Sequence, residues 1–368
     1  MRQHPGAWTS LEWSVVMAEF TDGPVAGVDY PSRLAELRAW FPTDADCLDY
    51  LDWLRWPGGF VCPRCGGLRG RRGQDGLWRC KECWARVSVT SGTIFADTRT
   101  PLTVWFEACW LMTVPKNGVS ALTLSRVLPI ASYQTAWTML AKLRSAMSSV
   151  DKAKLCGVVE VDEWFHGGVV RGGTSLSGKH LVAAAVEHRV HGRGFGRVRL
   201  RVIENRSAWE LRKFVRATVE PGTVVITDGL NAYESALAGY KHEVCNESAP
   251  DAAPAHESLP GVHRVFSLAE RWLLGTHQGG VQPEHLQEYL DEFAFRWNRR
   301  NTRHRGMVFY RLLQHAVTAG PVTYDDLVRI GAMPDVIPEP PGQRGLPGTL
   351  ETTNSHRPWR RESRQSHG

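Results

Sequence analysis

Three short blocks in the second half of this 368-residue chain carry residues able to do chemistry together. The run Val158 to Trp164 sets Asp162 inside a β-branched apolar strand pattern, and Val224 to Leu230 sets Asp228 at the end of another. The third block, Val262 to His277, has helical periodicity and is led by His263. Carboxylates are unfavourable in apolar strands unless something cationic meets them. Two carboxylates and a third ligand brought together by folding would hold two divalent ions roughly 3.5–4 Å apart, an arrangement that breaks and forms phosphodiesters. Each block also has a plainer reading. An Asp after a strand commonly builds a turn, and a lone His at a helix start commonly packs or caps. Glu160 shares a strand face with Asp162 and is a reserve ligand, whereas Glu163 points to the opposite face.

A second cluster lies upstream. Cys62 and Cys65 flank Pro-Arg, Cys80 and Cys83 repeat the spacing, and fourteen residues separate the pairs. Two thiolates from each tight turn complete a tetrahedral site with no open position, which describes a structural Zn²⁺. Phe60-Val61, Leu77-Trp78 and Val87 to Val89 are expected as the short strands of a zinc ribbon. Cys47, Cys109, Cys156 and Cys245 follow no such spacing and are read as small buried apolar residues.

The elements that must position these groups follow from periodicity and breakers. Residues 1–30 read as a weakly ordered lead. Two short amphipathic helices follow from Pro31 to Trp56, the second opened by Thr43-Asp44. With the ribbon they make a segment spanning 31–97. From 98 to 150 the chain is helical, with a break at Pro129 to Ala131 and a helix capped by Ser132. That is helix-turn-helix grammar. It puts Tyr133, Gln134 and Thr135 at the start of a recognition helix, Lys142 and Arg144 near phosphates, and Ala136, Leu140 and Leu143 on the buried side. A helical hairpin that merely packs fits the same pattern.

Residues 151–320 give three strands, a helix capped by Ser207, the strand ending at Asp228, and another helix. This order is expected of a mixed α/β, RNase-H-like sheet with flanking helices. A mobile loop is expected at 247–261, helices to about Val317, and a disordered basic tail over 334–368. Net charge is +6 and no uncharged apolar run approaches a membrane-spanning length, so a cytoplasmic location is expected, with no membrane partner.

The joint order of ribbon, helix-turn-helix, the Glu-Val-Asp-Glu strand, the Ile-Thr-Asp-Gly strand and the helix with Phe-Arg-Trp-Asn-Arg-Arg resembles insertion-sequence transposases of the DDE superfamily. The resemblance is to those with an N-terminal zinc ribbon and an RNase-H-like catalytic domain, and it spans roughly residues 35–315. It implies an enzyme that binds terminal inverted repeats, cuts the ends and joins 3′-hydroxyls to target DNA with Mg²⁺, at least two copies synapsing the ends. It carries the first two catalytic acids onto Asp162 and Asp228. At the third position, commonly Glu, it places His263, with Glu270 where Lys is usual. The two would stand roughly 10 Å apart along one helix face. A neutral imidazole is a less natural Mg²⁺ ligand than oxygen, which implies weaker binding of one ion or a preference for Mn²⁺ unless Glu257 or Glu270 contributes. A DNA-binding derivative that has lost catalysis, and a zinc-ribbon hydrolase of nucleic acid without strand transfer, remain as alternatives.

Overall fold

The computed structural model describes residues 23–148, 153–168, 178–189, 194–245, 255–278 and 281–329. The start of the expected weak lead, the centre of the Gly-rich loop, most of the expected mobile loop and the basic tail lie outside the described residues. Residues 255–261, assigned by composition to that mobile loop, are instead helical from Ala255 to Ser258 and again from Pro260.

Helices α1 (Leu34–Trp40) and α2 (Asp44–Arg55) open the ordered chain. Thr43 caps α2 in a reciprocal capping box with Asp46. The segment before them, read as weakly ordered, is tied down over 23–30: Asp29 accepts from the Val25 N–H at 2.7 Å, and its carbonyl accepts from the Tyr50 hydroxyl at 2.6 Å. Three short antiparallel strands follow, β1 (Gly70–Arg72), β2 (Trp78–Cys80) and β3 (Arg86–Val87). The expected first strand at Phe60-Val61 is not one. Phe60 instead stacks on Trp78, ring centroids 4.7 Å apart, because the ribbon needs its aromatic mass as core more than as pairing edge.

Helices α3 (Leu102–Thr113), α4 (Ala121–Val127) and α5 (Tyr133–Ser148) come next. The Ser132 hydroxyl caps α5, accepting from the Thr135 N–H at 3.1 Å, and Ala136, Leu140 and Leu143 are buried as expected.

The second half forms one five-stranded sheet in the order β6-β5-β4-β7-β8. Its strands are β4 (Val158–His166), β5 (His180–His188), β6 (Phe195–Ile203), β7 (Val224–Thr227) and β8 (Lys241–Val244). The first three pair antiparallel, whereas β4 with β7 and β7 with β8 run parallel. This mixed order is RNase-H-like. Helices α6 (Ala208–Thr218) and α7 (Ala232–Ala236) cover one face. After the short α8 (Ala255–Ser258), α9 (Pro260–His277) and α10 (Leu286–Asn298) cover the other. Strands β4 and β5 are buried on both faces, which is why their sequences read as almost unbroken apolar runs.

The Phe-Arg-Trp-Asn-Arg-Arg segment closing α10 has a physical task at the sheet edge. β6 is an edge strand, and Asn298 both accepts from its Val198 N–H at 2.8 Å and donates to the Val198 carbonyl at 3.2 Å. Gln287 does the same for Val202 N–H and Leu200 C=O, and the Trp297 indole N–H reaches the Gly196 carbonyl. A helix thus satisfies an edge that would otherwise pair with another chain. Replacing Asn298 with Ala is expected to cost about 1–3 kcal/mol, since it orphans groups that are largely shielded from water. Urea unfolding would report this, and an unchanged midpoint would remove the edge-sealing role.

The last described helices, α11 (Gly306–Ala316) and α12 (Tyr324–Arg329), leave the sheet. α11 buries Phe309 against Phe106 and Trp110 in the core of the N-terminal helices, although sequence order groups it with the sheet. Between the helical body and the sheet runs a buried ionic bolt. Arg144 Nε donates to Glu292 Oε2 at 2.8 Å, and Arg296 donates to Glu292 and to the carbonyls of Pro115 and Lys116. This corrects the expectation that Arg144 contacts DNA phosphate. Its side chain is 1% exposed and lies over the Tyr289 ring, so no phosphate reaches it.

Candidate active site and metal centre

The two turns of the ribbon bring its four cysteines together. Cys62 and Cys83 sulfurs stand 3.6 Å apart, and those of Cys65 and Cys80 3.7 Å apart. A tetrahedron with Zn–S bonds of about 2.3 Å has edges of about 3.8 Å, so the four sulfurs are spaced to hold zinc. All four lie within 4.8 Å of one another. Of the four remaining cysteines, Cys47 and Cys109 are buried as expected, and burial pushes both thiols up. Cys156 is exposed, contrary to expectation, with its sulfur 3.7 Å from Glu187, and Cys245 is half-buried.

The carboxylates are positioned by strand register. β4 and β7 pair with Val158 opposite Val224 and Glu160 opposite Ile226. Carrying that offset two residues further sets Asp162 level with Asp228, which follows Thr227 at the strand end. Asp162 is buried, one oxygen accepting from the Glu163 N–H at 2.7 Å. Asp228 is half-buried and accepts from the Leu230 N–H at 3.0 Å, so it also builds the turn that a plain reading assigns to it. His263, in the first turn of α9, brings Nε2 to 3.8 Å from Asp162 Oδ2. A carboxylate oxygen and an imidazole nitrogen this close can share one divalent ion. Among the described residues only the cysteines put three or more donor atoms mutually within 4.8 Å, so the Asp162, Asp228 and His263 set is open where the zinc site is closed.

The face of β4 that carries Asp162 is read along its length by α9. Glu160 Oε2 accepts from the N–H groups of Gly261 and Val262 at 2.7 and 2.9 Å, and its other oxygen meets His188 Nε2 at 2.6 Å. Trp164 and His166 both reach Glu270 Oε1, at 3.0 and 2.7 Å. Two sequence expectations change here. Glu160 is not held in reserve as a ligand: both its oxygens are engaged in fixing the N-terminus of α9, and with it His263. Glu270 does not approach Asp162's end of the helix. Burial works against its charge, but His166 and Trp164 outweigh that and hold its carboxyl below the usual range. Glu257 is exposed on α8. The Glu160 anchor left no mark in the sequence beyond a carboxylate in an apolar run. Gly261 was the available signal, because a β-carbon there would stand 2.7 Å from Glu160 Oε2.

Glu160→Ala is expected to raise amide exchange at Gly261 and Val262 about five-fold, the loss of roughly 1 kcal/mol of capping. Glu160→Gln, which keeps an acceptor oxygen, should restore most of the protection. Equal exchange in all three proteins would show that the carboxylate anchors nothing.

On the opposite face Glu163 accepts from the Tyr233 hydroxyl and lies 3.4 Å from Arg206. Burial, assisted by Asp162 and Asp228 and opposed by Tyr233 and Arg206, pushes its carboxyl up to about 7. Behind the two aspartates therefore stands a carboxyl whose ionisation burial opposes.

Of the helix-turn-helix residues, Tyr133 and Gln134 are exposed at the start of α5. Thr135 is half-buried with its hydroxyl 3.0 Å from that of Ser132, and Lys142 is half-buried near Asp97, its ammonium lowered by burial.

A cysteine ribbon joined to an RNase-H-like sheet, with one carboxylate within a central strand and another just past the end of the strand beside it, defines a transposase of the DDE superfamily. Residues 154–298 match the ISXO2-like transposase domain and residues 42–86 the transposase zinc-ribbon domain, together about half of the chain. The chain belongs to this family of insertion-sequence transposases. It is similar to an uncharacterized protein in transposable element ISH50 of Halobacterium salinarum, 25% identical over 278 residues, which cover 70% of this chain and 91% of that relative. Among the described residues no helix is long and apolar enough to cross a membrane.

Proposed function

We propose that this transposase binds the inverted-repeat ends of its element and cuts and rejoins DNA at a site built on Asp162, Asp228 and His263. The observation that carries this reading is the strand register that levels Asp162 with Asp228, with His263 brought to 3.8 Å from Asp162 by a helix that Glu160 anchors. These three residues would hold the divalent ions, which when bound activate the attacking water or 3′-hydroxyl and stabilise the leaving oxygen. The protein's own part is to fix the two carboxylates on rigid strands and to orient the imidazole from a helix whose first turn is pinned.

DNA recognition is assigned to residues 31–150, the ribbon with the helix-turn-helix-like segment, with Tyr133 and Gln134 as the groups free to reach bases and Lys142 at the rim. Catalysis is assigned to 151–320. Joining two element ends calls for at least two copies of the chain in the synaptic complex. Glu270 favours a second reading, a DNA-binding derivative impaired in catalysis, because it is held by Trp164 and His166 where a phosphate-holding cation is usual in the family.

Labelled element ends incubated with the protein and Mg²⁺ or Mn²⁺ test both. Cleavage with joined products is the expected result. Binding without cleavage establishes the impaired derivative, and cleavage without joining indicates a hydrolase.

A further inference from the structure

An exposed tryptophan on the helix that follows β6 is unused by the site described above. Trp209 lies in the first turn of α6 and is 70% exposed, although an indole is costly to leave in water. The helix buries Leu211, Phe214 and Val215 against the sheet. Trp209, Lys213 and Arg216 recur at helical spacing on the opposite side, all exposed, so the outer face of α6 is one aromatic followed by two cations.

Topology starts this helix at the end of the sheet toward which β4 runs past Asp162, on the face opposite to the Asp162 side chain. Strand β6 runs parallel to β4, since each pairs antiparallel with β5, and Phe165, Leu181 and Ile203 stand in one row across the three strands. The chain leaving β6 thus emerges at the end of the sheet toward which β4 runs, three residues beyond the row of Asp162, Ala184 and Leu200. Arg206 fixes that exit. Its guanidinium lies 3.4 Å from Glu163, the neighbour of Asp162, and 5.0 Å over the Phe165 ring. The residue just before the Ser207 cap of α6 is thus bonded to the back of the carboxylate strand.

We propose that the outer face of α6 binds an unpaired DNA strand running from the cleavage site, one base stacking on Trp209 and the following phosphates meeting Lys213 and Arg216. This deepens the DNA-cutting reading and rests on it for the identity of the strand. Every base has a π-face, so stacking tolerates any sequence, and cations behind an aromatic are what a single strand requires. Charge supports this occupant over a second copy of the chain. Two identical faces carrying Lys213 and Arg216 repel, whereas a polyanion gains from both cations.

The test uses the full chain and two fluorescein-labelled probes of one arbitrary sequence, a blunt duplex and the same duplex with a ten-nucleotide overhang, read by anisotropy between about 50 and 200 mM salt. Trp209→Ala is expected to weaken overhang binding roughly ten-fold and blunt-duplex binding less than two-fold, with Trp209→Phe restoring most of the loss. Lys213→Ala with Arg216→Ala should lower the steepness of the salt dependence by about two phosphate contacts. If Trp209→Ala binds the overhang as tightly as the native protein, the proposal is overturned. A change in sedimentation with unchanged overhang affinity would assign the face to a second copy and overturn it equally. Binding is read without cleavage, so a protein that binds the overhang through Trp209 but never cuts refutes the enzymatic reading alone.

Discussion

Removing zinc, by chelation or by Cys80→Ser, is expected to unfold the ribbon while the five-stranded sheet stays folded. The ribbon's own apolar core is Phe60, Cys62, Cys80 and Val87, two of which belong to the cysteine set that would hold the metal. Its three strands pair over only three and two residues. A core this small cannot offset the conformational entropy of some thirty residues. Metal ligation of such sites contributes roughly 10–16 kcal/mol, far more than the remaining contacts to α2, chiefly Trp78 Nε1 to Asp52 at 2.5 Å and Arg72 to Asp49 at 2.7 Å. Hydrogen exchange localises the effect. The backbone amides of Trp78 and Arg79 should lose protection on zinc removal, whereas Val161 and Ala184 in the sheet should keep theirs. Persistent protection in β2 after the metal is demonstrably gone would mean that the ribbon is held by its packing. Loss of protection in both regions would mean that the ribbon supports the sheet as well.

The parts of this molecule legible in the sequence are those whose signal is local. The cysteine spacing is a local statement, and so are the capped starts of α2, α5 and α6. Strands β4 and β5 announce themselves because burial on both faces removes the polar alternation that would blur them. β8 was not visible, since Lys241-His242-Glu243-Val244 is a polar outer strand recognised only by its pairing with β7. Long-range geometry was equally hidden. No pattern in either segment says that Asp162 and Asp228 share a level, because that depends on a register set by the whole sheet. Arg144 is more instructive. Its spacing from Leu140 and Met147 already placed it on the buried stripe of α5, and a cation there requires a buried partner. That partner, Glu292, lies 148 residues away, so the helix pattern gave the burial and only the fold gave the ion pair. The Glu160 anchor is hidden for the same reason: its acceptor role exists only once α9 begins against the strand.

Substitution within the proposed catalytic set should give the other large effect, and its two halves point in opposite directions. Asp228→Asn keeps the shape of the turn, since the amide oxygen can still accept from Leu230 N–H, but removes one negative charge. If Asp228 holds a divalent ion, the variant should cut DNA at least about a thousand-fold more slowly, the consequence of several kcal/mol of lost transition-state stabilisation. Asp162→Asn should do the same, with no change in affinity for duplex DNA. His263→Glu runs the other way. It offers a hard oxygen donor in place of the imidazole whose Nε2 lies 3.8 Å from Asp162, in the first turn of α9, whose helix end also favours a negative side chain. Mg²⁺ coordinates oxygen in preference to nitrogen, so the variant should need less Mg²⁺ for half-maximal cleavage, and the advantage of Mn²⁺ over Mg²⁺ should shrink. Metal titrations of cleavage rate for the native protein and the three variants decide the matter. Wild-type cleavage by Asp228→Asn would dismiss the site itself. A silent His263→Glu beside inactive aspartate variants would leave the carboxylates in place and return His263 to the role of a packed histidine, its ring edge on Phe266 with centroids 5.7 Å apart.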